Sequence, residues 1–508
     1  VKKNKKKMEA IENRLQEFLE AQKVAEQMIP VLGVLYRDRT HVITICGTSI
    51  HNMSDLEIIK IHQFATEYLE TPITVHDTYP ILQKLVKLEN IGPARIDIGK
   101  IAGELQAITN SERVNYLDKR LLGLNAFPQS LQEKPTDIVL YGFGRIGRLV
   151  ARVLIEKTGG GNKMLLRAIV VRPKNIPNDL EKRATLFKND SVHGPFNGII
   201  NINKEKNQLI INGVTVQLIY AKSPSDVDYT QYGINDAVLV DNTGIWRDRK
   251  GLGVHLQAKG IKKVLLTAPA KDDIPNIVAG VNDNIISNEE TIFSAASCTT
   301  NAIVPFLHLI HNKFTISSVH VETVHSYTND QNLLDNNHSK ERRGRAAPLN
   351  MVLTSTGAAS AVAKAIPALK GKITGSAIRV PTPNVSLAML ILNLEKETNK
   401  EDMNKFIYRH SLHSRQVGYE ISNEAVSSDM IGDRHAGVLD SSNTIVDGKR
   451  AILYVWYDNE FGYTCQTVRV IQAISGINHP KFPEKEPGTP KLIPKDLKEF
   501  EKSIFPSA

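Results

Sequence analysis

Cysteine is scarce in this chain: Cys46, Cys298 and Cys465 are the only three in 508 residues. Three is odd, so a disulfide framework leaves one thiol over, and the sequence reads as a protein of a reducing, cytoplasmic setting. Long apolar runs are lacking too. No stretch approaches the ~18 residues that a membrane span needs, so no membrane partner is expected. The opening residues carry five lysines within the first seven and lead into an amphipathic stretch, so no secretory signal is read there. A charge run of that kind is usually a solvated tail. Although the formal net charge is +9, the sequence is read against a nucleic-acid role. Internal repeats are absent, and no metal site is assigned. What is present is an ordinary globular composition, 41% hydrophobic and 23% charged, in a chain long enough for about three domains.

Residues 1–135 read as a mostly helical N-terminal extension. Ile11, Leu15, Phe18, Leu19 and Val24 recur at helical spacing. Ser54-Asp55-Leu56-Glu57 is a capping-box pattern opening another apolar-periodic run through Ile58, Ile59, Ile61 and Phe64. A further segment runs from about Asp97 to Leu122. No catalytic constellation stands out: His51, His62 and His76 are scattered, and Cys46 sits in the apolar run Val42-Ile43-Thr44-Ile45 as a buried small hydrophobe. From Pro135 the chain alternates β-branched runs with helical segments, the signature of βαβ units and a parallel sheet. Strand-like runs at about 378–395 and 444–456 point to a second α/β domain with a more antiparallel sheet. The expected layout is a Rossmann-type NAD(P)-binding domain over 136–297, completed by a helix at about 458–475, an α+β catalytic domain with a mixed sheet over 298–457, and a proline- and lysine-rich tail over 476–508, read as an extended arm or loose terminus.

The strand candidate Asp137-Ile138-Val139-Leu140-Tyr141 runs directly into Gly142-Phe143-Gly144-Arg145-Ile146-Gly147 and then a helical run. In that context the three glycines have distinct tasks. Gly142 permits a tight turn, Gly144 lets a pyrophosphate approach the backbone, and Gly147 lets helix pack on strand, while the helix N-terminus offers N–H groups to the phosphates. The next strand, Leu165–Val171, ends at Arg172 where many NAD-binding folds place an acid for the ribose hydroxyl. Arginine cannot accept that bond but can pair with a 2′-phosphate.

Cys298 lies in Ala296-Ser297-Cys298-Thr299-Thr300-Asn301, ahead of a helical run. A cysteine there has its thiolate stabilised by the helix dipole. His325 closes the strand-like run Ser318–Val324 and is a candidate base for it. Spacing alone leaves that pairing open.

Eight motifs in order add to this reading. They are Tyr141-Gly142-Phe143-Gly144-Arg145-Ile146-Gly147-Arg148, Asn189-Asp190-Ser191-Val192-His193-Gly194, Thr267-Ala268-Pro269, Ser297-Cys298-Thr299-Thr300-Asn301, His325-Ser326-Tyr327-Thr328-Asn329-Asp330-Gln331, Thr354-Ser355-Thr356-Gly357-Ala358-Ala359, Arg379-Val380-Pro381-Thr382-Pro383-Asn384-Val385 and Trp456-Tyr457-Asp458-Asn459-Glu460-Phe461-Gly462-Tyr463. Over about residues 136–475 the chain resembles the glyceraldehyde-3-phosphate dehydrogenase family, in a long form with an N-terminal extension. The resemblance implies a phosphorylating aldehyde dehydrogenase and a homotetramer. It implies Cys298 as nucleophile and His325 as base, with an NAD or NADP cofactor held by Gly142, Gly144, Arg145, Ile146, Gly147, Arg172, Thr267 and Asn459. It places glyceraldehyde 3-phosphate and inorganic phosphate on two anion sites, Thr328, Asp330 and Arg379 for the first and Ser297, Thr299, Arg343, Thr356 and Gly357 for the second. Tyr463 matches the family's aromatic beside the reaction centre.

Three positions depart from the family. Arg172 stands where NAD-preferring members carry Asp. Asp335 is followed by Asn336-Asn337 rather than Leu-Pro, and Tyr141 replaces the usual Asn. The first two remove features that disfavour a 2′-phosphate, so NADP, alone or beside NAD, is the expected cofactor, with use in the gluconeogenic or biosynthetic direction. Two alternatives stay open at this point: oxidation of a longer aldehyde such as erythrose 4-phosphate, and a non-catalytic scaffold or RNA-binding protein of the same fold.

Overall fold

The structure, a computed structural model, describes residues 2–69, 71–89, 91–126, 134–158, 163–354, 356–411, 414–477 and 479–483, with the side chains of 2–11, 67 and 68 left out. Most of the tail, including Pro487, Pro490 and Pro494, lies outside the described residues. The chain divides into two compact units, one built by Val1–Lys134, Gly159–Lys163 and Ile477–Ala508, the other by Pro135–Thr158 and Met164–Gly476.

The first unit is mostly helical, and it also holds a small sheet that the helical reading does not contain. Its longest element is the helix Lys2–Arg37, whose C-terminal half buries Ala25, Met28, Leu32 and Leu35 in a core shared with the helices Asp55–Leu69 and Val75–Lys87. The capping box at Ser54 is formed: the Ser54 N–H donates to Glu57 Oε2 at 2.7 Å, and the Glu57 N–H donates to Ser54 Oγ at 3.4 Å. Cys46 is buried, and His62 is a satisfied core residue bonded to the Ile58 carbonyl and to Thr78 Oγ1, each at 2.6 Å. The sheet runs Thr48–Ser49, Val42–Ile45, Arg95–Asp97, Lys481–Phe482. Cys46 and Gly47 both take positive φ, 46° and 87°, which is what a two-residue hairpin requires. The Asp97 carboxylate fixes that turn by accepting from the Cys46 and Gly47 N–H groups at 2.9 and 2.7 Å, and it caps the helix Ile98–Gln106 through the Lys100 N–H at 3.1 Å. The start of the tail is extended, as read from the sequence, but it is tied down. Lys481–Phe482 pairs in parallel with Arg95–Ile96, and the Phe482 ring is buried beneath the Arg120 guanidinium at 5.2 Å.

The second unit contains two eight-stranded sheets. In the first, six parallel strands lie in the order Ile292–Ser294, Ile261–Leu266, Ala237–Asp241, Thr136–Tyr141, Met164–Val171, Val214–Tyr220, the doubly wound order, with two antiparallel strands added at the far edge. In the second, Ile316–Ser326 is central. It pairs in parallel with Ile373–Val380 and antiparallel with Ser386–Leu394, which continues to Arg450–Tyr457. One face of this sheet carries the helix Cys298–Phe314, whose Ile303, Phe306, Leu307 and Ile310 are fully buried against Val321, Leu390 and Leu453. The last helix, Phe461–Ile474, returns to pack on the glycine-motif helix Arg145–Glu156. Among the described residues no helix is long and apolar enough to cross a membrane.

Truncating the buried Phe482 ring opens a cavity at the edge of the small sheet. Phe482→Ala is predicted to destabilise the first unit by about 3 kcal/mol and to speed amide hydrogen exchange across Val42–Ile45 and Arg95–Asp97. Protection at those strands equal to that of the parent chain would refute a structural role for the returning strand.

Candidate active site

The glycine motif is shaped by three different needs. Gly142 has φ +97°, a conformation costly for any side chain. A Cβ on Gly147 would come within 2.4 Å of the Gly142 carbonyl, so helix and strand touch there through backbone. A Cβ on Gly144 would meet no protein atom within 4 Å, so this backbone faces open space at the start of the helix Arg145–Glu156. Ile146 lies in that helix's first turn. An open cradle with unpaired helix N–H groups suits a dinucleotide pyrophosphate. The Arg145 side chain is held elsewhere: it pairs with Asp190 at 2.8 Å and with Glu460 at 2.7 Å. Its role is to tie the glycine turn to the 458–460 segment, while its backbone N–H stays with the cradle. Thr267 Oγ1 donates to the Asp241 carbonyl at 3.1 Å, at the end of a neighbouring strand. Arg172 is exposed and has no ion pair among the described residues.

Cys298 opens the helix Cys298–Phe314, with Ser297 as N-cap, its Oγ accepting from the Thr300 N–H at 3.0 Å. The preceding Ala296 has φ +56°, a strained value for a residue with a Cβ. Three bonds hold it there. The Ala296 N–H donates to Ser294 Oγ at 2.9 Å, Tyr463 Oη donates to the Ala296 carbonyl at 3.0 Å, and Asn301 Nδ2 donates to the Ala295 carbonyl at 2.7 Å. Tyr463 thus braces the turn that aims the sulfur. Cys298 Sγ lies 3.5 Å from His325 Nε2.

His325 ends its strand directly beside Arg379 of the parallel neighbour. Its Nδ1 is 2.7 Å from the Ser326 carbonyl, and Arg379 Nη1 donates to the same carbonyl at 2.8 Å. Arg379 Nη1 also lies 2.7 Å from His325 Nδ1; of the two neutral tautomers, the one with Nδ1–H donating to the Ser326 carbonyl leaves the Nε2 lone pair facing the sulfur. Burial, then the Arg379 charge, pushes His325 down to about 3, so the imidazole is neutral at neutral pH. Burial also pushes the Cys298 thiol up, against the Arg379 charge and the Thr299 donors, which lower it. The cation and the donors do not offset the burial.

Two arginines crowd this site with one acid between them. Arg343 is buried, pairs with Asp330 through Nη1 and donates to Thr354 Oγ1 at 3.0 Å. Thr328 Oγ1 also donates to Asp330, whose carboxyl is held below the usual range, burial being outweighed by that hydroxyl and by Arg343. The Nε atoms of both Arg343 and Arg379 are buried without a partner. Unpaired donors on buried cations mark a place for an anion. Beside them Thr356 Oγ1 accepts from the Ala358 N–H at 3.1 Å, and Gly357 borders open space. The Thr299 hydroxyl is bonded to Tyr457 Oη at 3.0 Å, and the Ser297 hydroxyl serves the helix cap.

Asn459 is positioned by residues that the motif reading does not single out. Ser326 Oγ and Ser386 Oγ both donate to its Oδ1 at 2.9 Å, which fixes the amide and leaves its NH2 as donor. Tyr457, edge-on to the His325 ring at 6.1 Å, and Glu460, the partner of Arg145, are likewise visible only in three dimensions. Ser326, Tyr457 and Glu460 lie inside quoted motifs, which was the available signal; Ser386 carried none.

Comparison with known proteins gives the family. A family model described as glyceraldehyde 3-phosphate dehydrogenase, NAD binding domain, matches residues 136–249, and one described as the C-terminal domain of the same family matches residues 297–459. A glyceraldehyde-3-phosphate dehydrogenase-like protein of Pseudomonas aeruginosa (strain UCBPP-PA14) is 53% identical over 462 residues, covering 90% of this chain and 100% of that protein. A match of that length includes part of the first unit. The glyceraldehyde-3-phosphate dehydrogenases of Zymomonas mobilis and Clostridium pasteurianum are 38% and 37% identical over 335 and 348 residues, 65% and 67% of this chain and 96% and 99% of their own. The chain belongs to the glyceraldehyde-3-phosphate dehydrogenase family, in a form that carries an additional N-terminal unit.

Proposed function

We propose that this protein oxidises glyceraldehyde 3-phosphate with inorganic phosphate to 1,3-bisphosphoglycerate, reversibly, through a thioester on Cys298. The observation that carries the reading is Cys298 Sγ at 3.5 Å from His325 Nε2, beside the buried Arg343 and the half-buried Arg379, whose Nε donors are both unpartnered. His325 takes the thiol proton as sulfur bonds to the aldehyde carbon, and the Cys298 and Thr299 N–H groups at the helix start receive the charge that develops on oxygen. A bound nicotinamide supplies the hydride acceptor. Asn459, oriented by Ser326 and Ser386, is the residue we assign to hold its amide. Inorganic phosphate then attacks the thioester carbon, and the C–S bond breaks to return the sulfur. Arg379, Thr328 and Asp330 hold the substrate phosphate, and Arg343, Thr356, Gly357, Thr299 and Ser297 the attacking one. Arginine forks match the geometry of phosphate oxygens.

For the cofactor we favour NADP, alone or with NAD. Arg172 follows the strand Met164–Val171, and the parallel pairing of Val171 with Tyr220 brings exposed Lys222 to the neighbouring strand end. Two cations side by side suit a 2′-phosphate. We also infer the family's homotetramer and a cytoplasmic setting. Leu387, Met389 and Ile391 on the uncovered face of Ser386–Leu394 give the assembly apolar surface.

Initial rates with glyceraldehyde 3-phosphate, NAD or NADP, with and without phosphate, test the reading. Activity that does not require phosphate would overturn it. Cys298→Ser should lower kcat on the order of 10³-fold or more while leaving cofactor binding intact. Arg172→Asp should lower the NADP-to-NAD ratio of kcat/KM at least about tenfold, one lost charge-assisted contact; an unchanged ratio removes Arg172 from the site. The Arg379 charge favours the thiolate, so Arg379→Leu should raise the Cys298 pKa further. Alkylation by iodoacetamide at pH 8 should then slow about tenfold, because the reactive thiolate fraction falls in that proportion, and faster alkylation would contradict the assigned electrostatics.

A further inference from the structure

Tyr457 has no task in the reaction proposed above, yet its hydroxyl lies among groups that do. It ends the strand Arg450–Tyr457 and is 2% exposed. Its ring stands edge-on to His325, with 6.1 Å between centroids. The phenol keeps its proton at neutral pH. Burial, then Cys298, pushes it up and outweighs the Thr299 and Ser386 hydroxyls and the Arg379 charge, which lower it. A buried O–H needs an acceptor, because leaving it unpaired costs its desolvation. Thr299 Oγ1 lies at 3.0 Å. The other hydroxyl near it belongs to Ser386, its cross-strand neighbour. That oxygen is already engaged: it accepts from the Ser326 N–H at 3.2 Å and gives its own proton to Asn459 Oδ1 at 2.9 Å.

Thr299 is the second residue of the helix Cys298–Phe314, in the turn whose N–H groups have no acceptor within the helix. Its hydroxyl has one proton to give and can also accept. Were that proton given to Tyr457, none would be left for an anion. With Tyr457 as the donor, the Thr299 oxygen is satisfied as an acceptor and its proton stays available. We propose that Tyr457 is a positioning residue for the attacking phosphate: its phenol donates to Thr299 Oγ1, fixes that hydroxyl and leaves its proton for the anion. The incoming bond also strengthens the outgoing one by polarising it. This role presupposes the phosphate-dependent reaction, with Thr299 at the attacking anion, and adds to it a residue that acts through Thr299.

Initial rates of the full chain over a range of phosphate concentrations test the role, with the cofactor that the parent uses. Tyr457→Phe should raise KM for phosphate about fivefold, the effect of one neutral hydrogen bond lost. Its kcat at saturating phosphate should stay within about twofold of the parent's, and its Kd for the cofactor, read from quenching of protein fluorescence, should not change. In a Thr299→Val background the same replacement should add less than about twofold, because the phenol acts through that hydroxyl. A KM for phosphate that is unchanged or lowered in Tyr457→Phe overturns the donor order. An effect of equal size with and without the Thr299 hydroxyl overturns the route through Thr299. A matching loss of cofactor affinity means that the phenol supports the fold rather than the anion, and overturns the role as well. A parent whose rate ignores phosphate brings down the reaction and this role together, whereas a phosphate-dependent parent beside an unaltered variant sinks the role alone.

Discussion

Two arginines, one buried and one half-buried, set against a single partly exposed acid are the constraint on which this site rests. Burial, with the nearby Arg343 charge, makes a cation less favourable at Arg379, and Asp330 is the acid paired with Arg343. An arrangement of that kind is costly when empty and is stabilised by a bound anion. The same Arg379 charge sets the chemistry next to it. It makes a cationic His325 unfavourable and a Cys298 thiolate more favourable. Burial works against the charged form of both partners.

The geometry depends on backbone features that no single side chain supplies. Parallel pairing puts His325 and Arg379 at one level of adjacent strands. A strained left-handed residue, Ala296, turns the chain so that the helix N-terminus presents sulfur to imidazole. The strain is local, on the order of 1–3 kcal/mol, and is held by Ser294, Asn301 and Tyr463. Arg145 performs a matching service on the cofactor side. By bridging Asp190 and Glu460 it fastens the glycine turn to the loop that carries Asn459.

The first unit follows a different logic. It contributes no residue to the catalytic chemistry described above, yet it is a folded body with a core of its own, closed by a strand from the far end of the sequence. A buried aromatic on a two-residue strand is a small anchor, but it ties the chain's last described residues to its first hundred. The same unit leaves the Glu12–Glu20 stretch of its longest helix exposed, with Leu15, Phe18 and Leu19 on it.

Much of this protein could be read along one dimension. The GxGxxG turn between strand and helix, the cysteine at a helix start and the eight ordered motifs carry local backbone demands and reactive groups, and these are properties of short segments. The tertiary structure alone decided the rest. That Arg145 commits its charge to two carboxylates, that Ser386 orients Asn459, that Ser297 caps a helix and that Lys481–Phe482 completes a sheet begun at Val42 are all contacts between distant positions or choices among local partners. Hydrogen-bond partners across tens or hundreds of residues leave no periodicity to detect. Burial worked the same way: the sequence could place Cys298 at a helix dipole and infer a stabilised thiolate, but only the packed site shows that desolvation pushes the thiol up despite the Arg379 charge and the Thr299 donors.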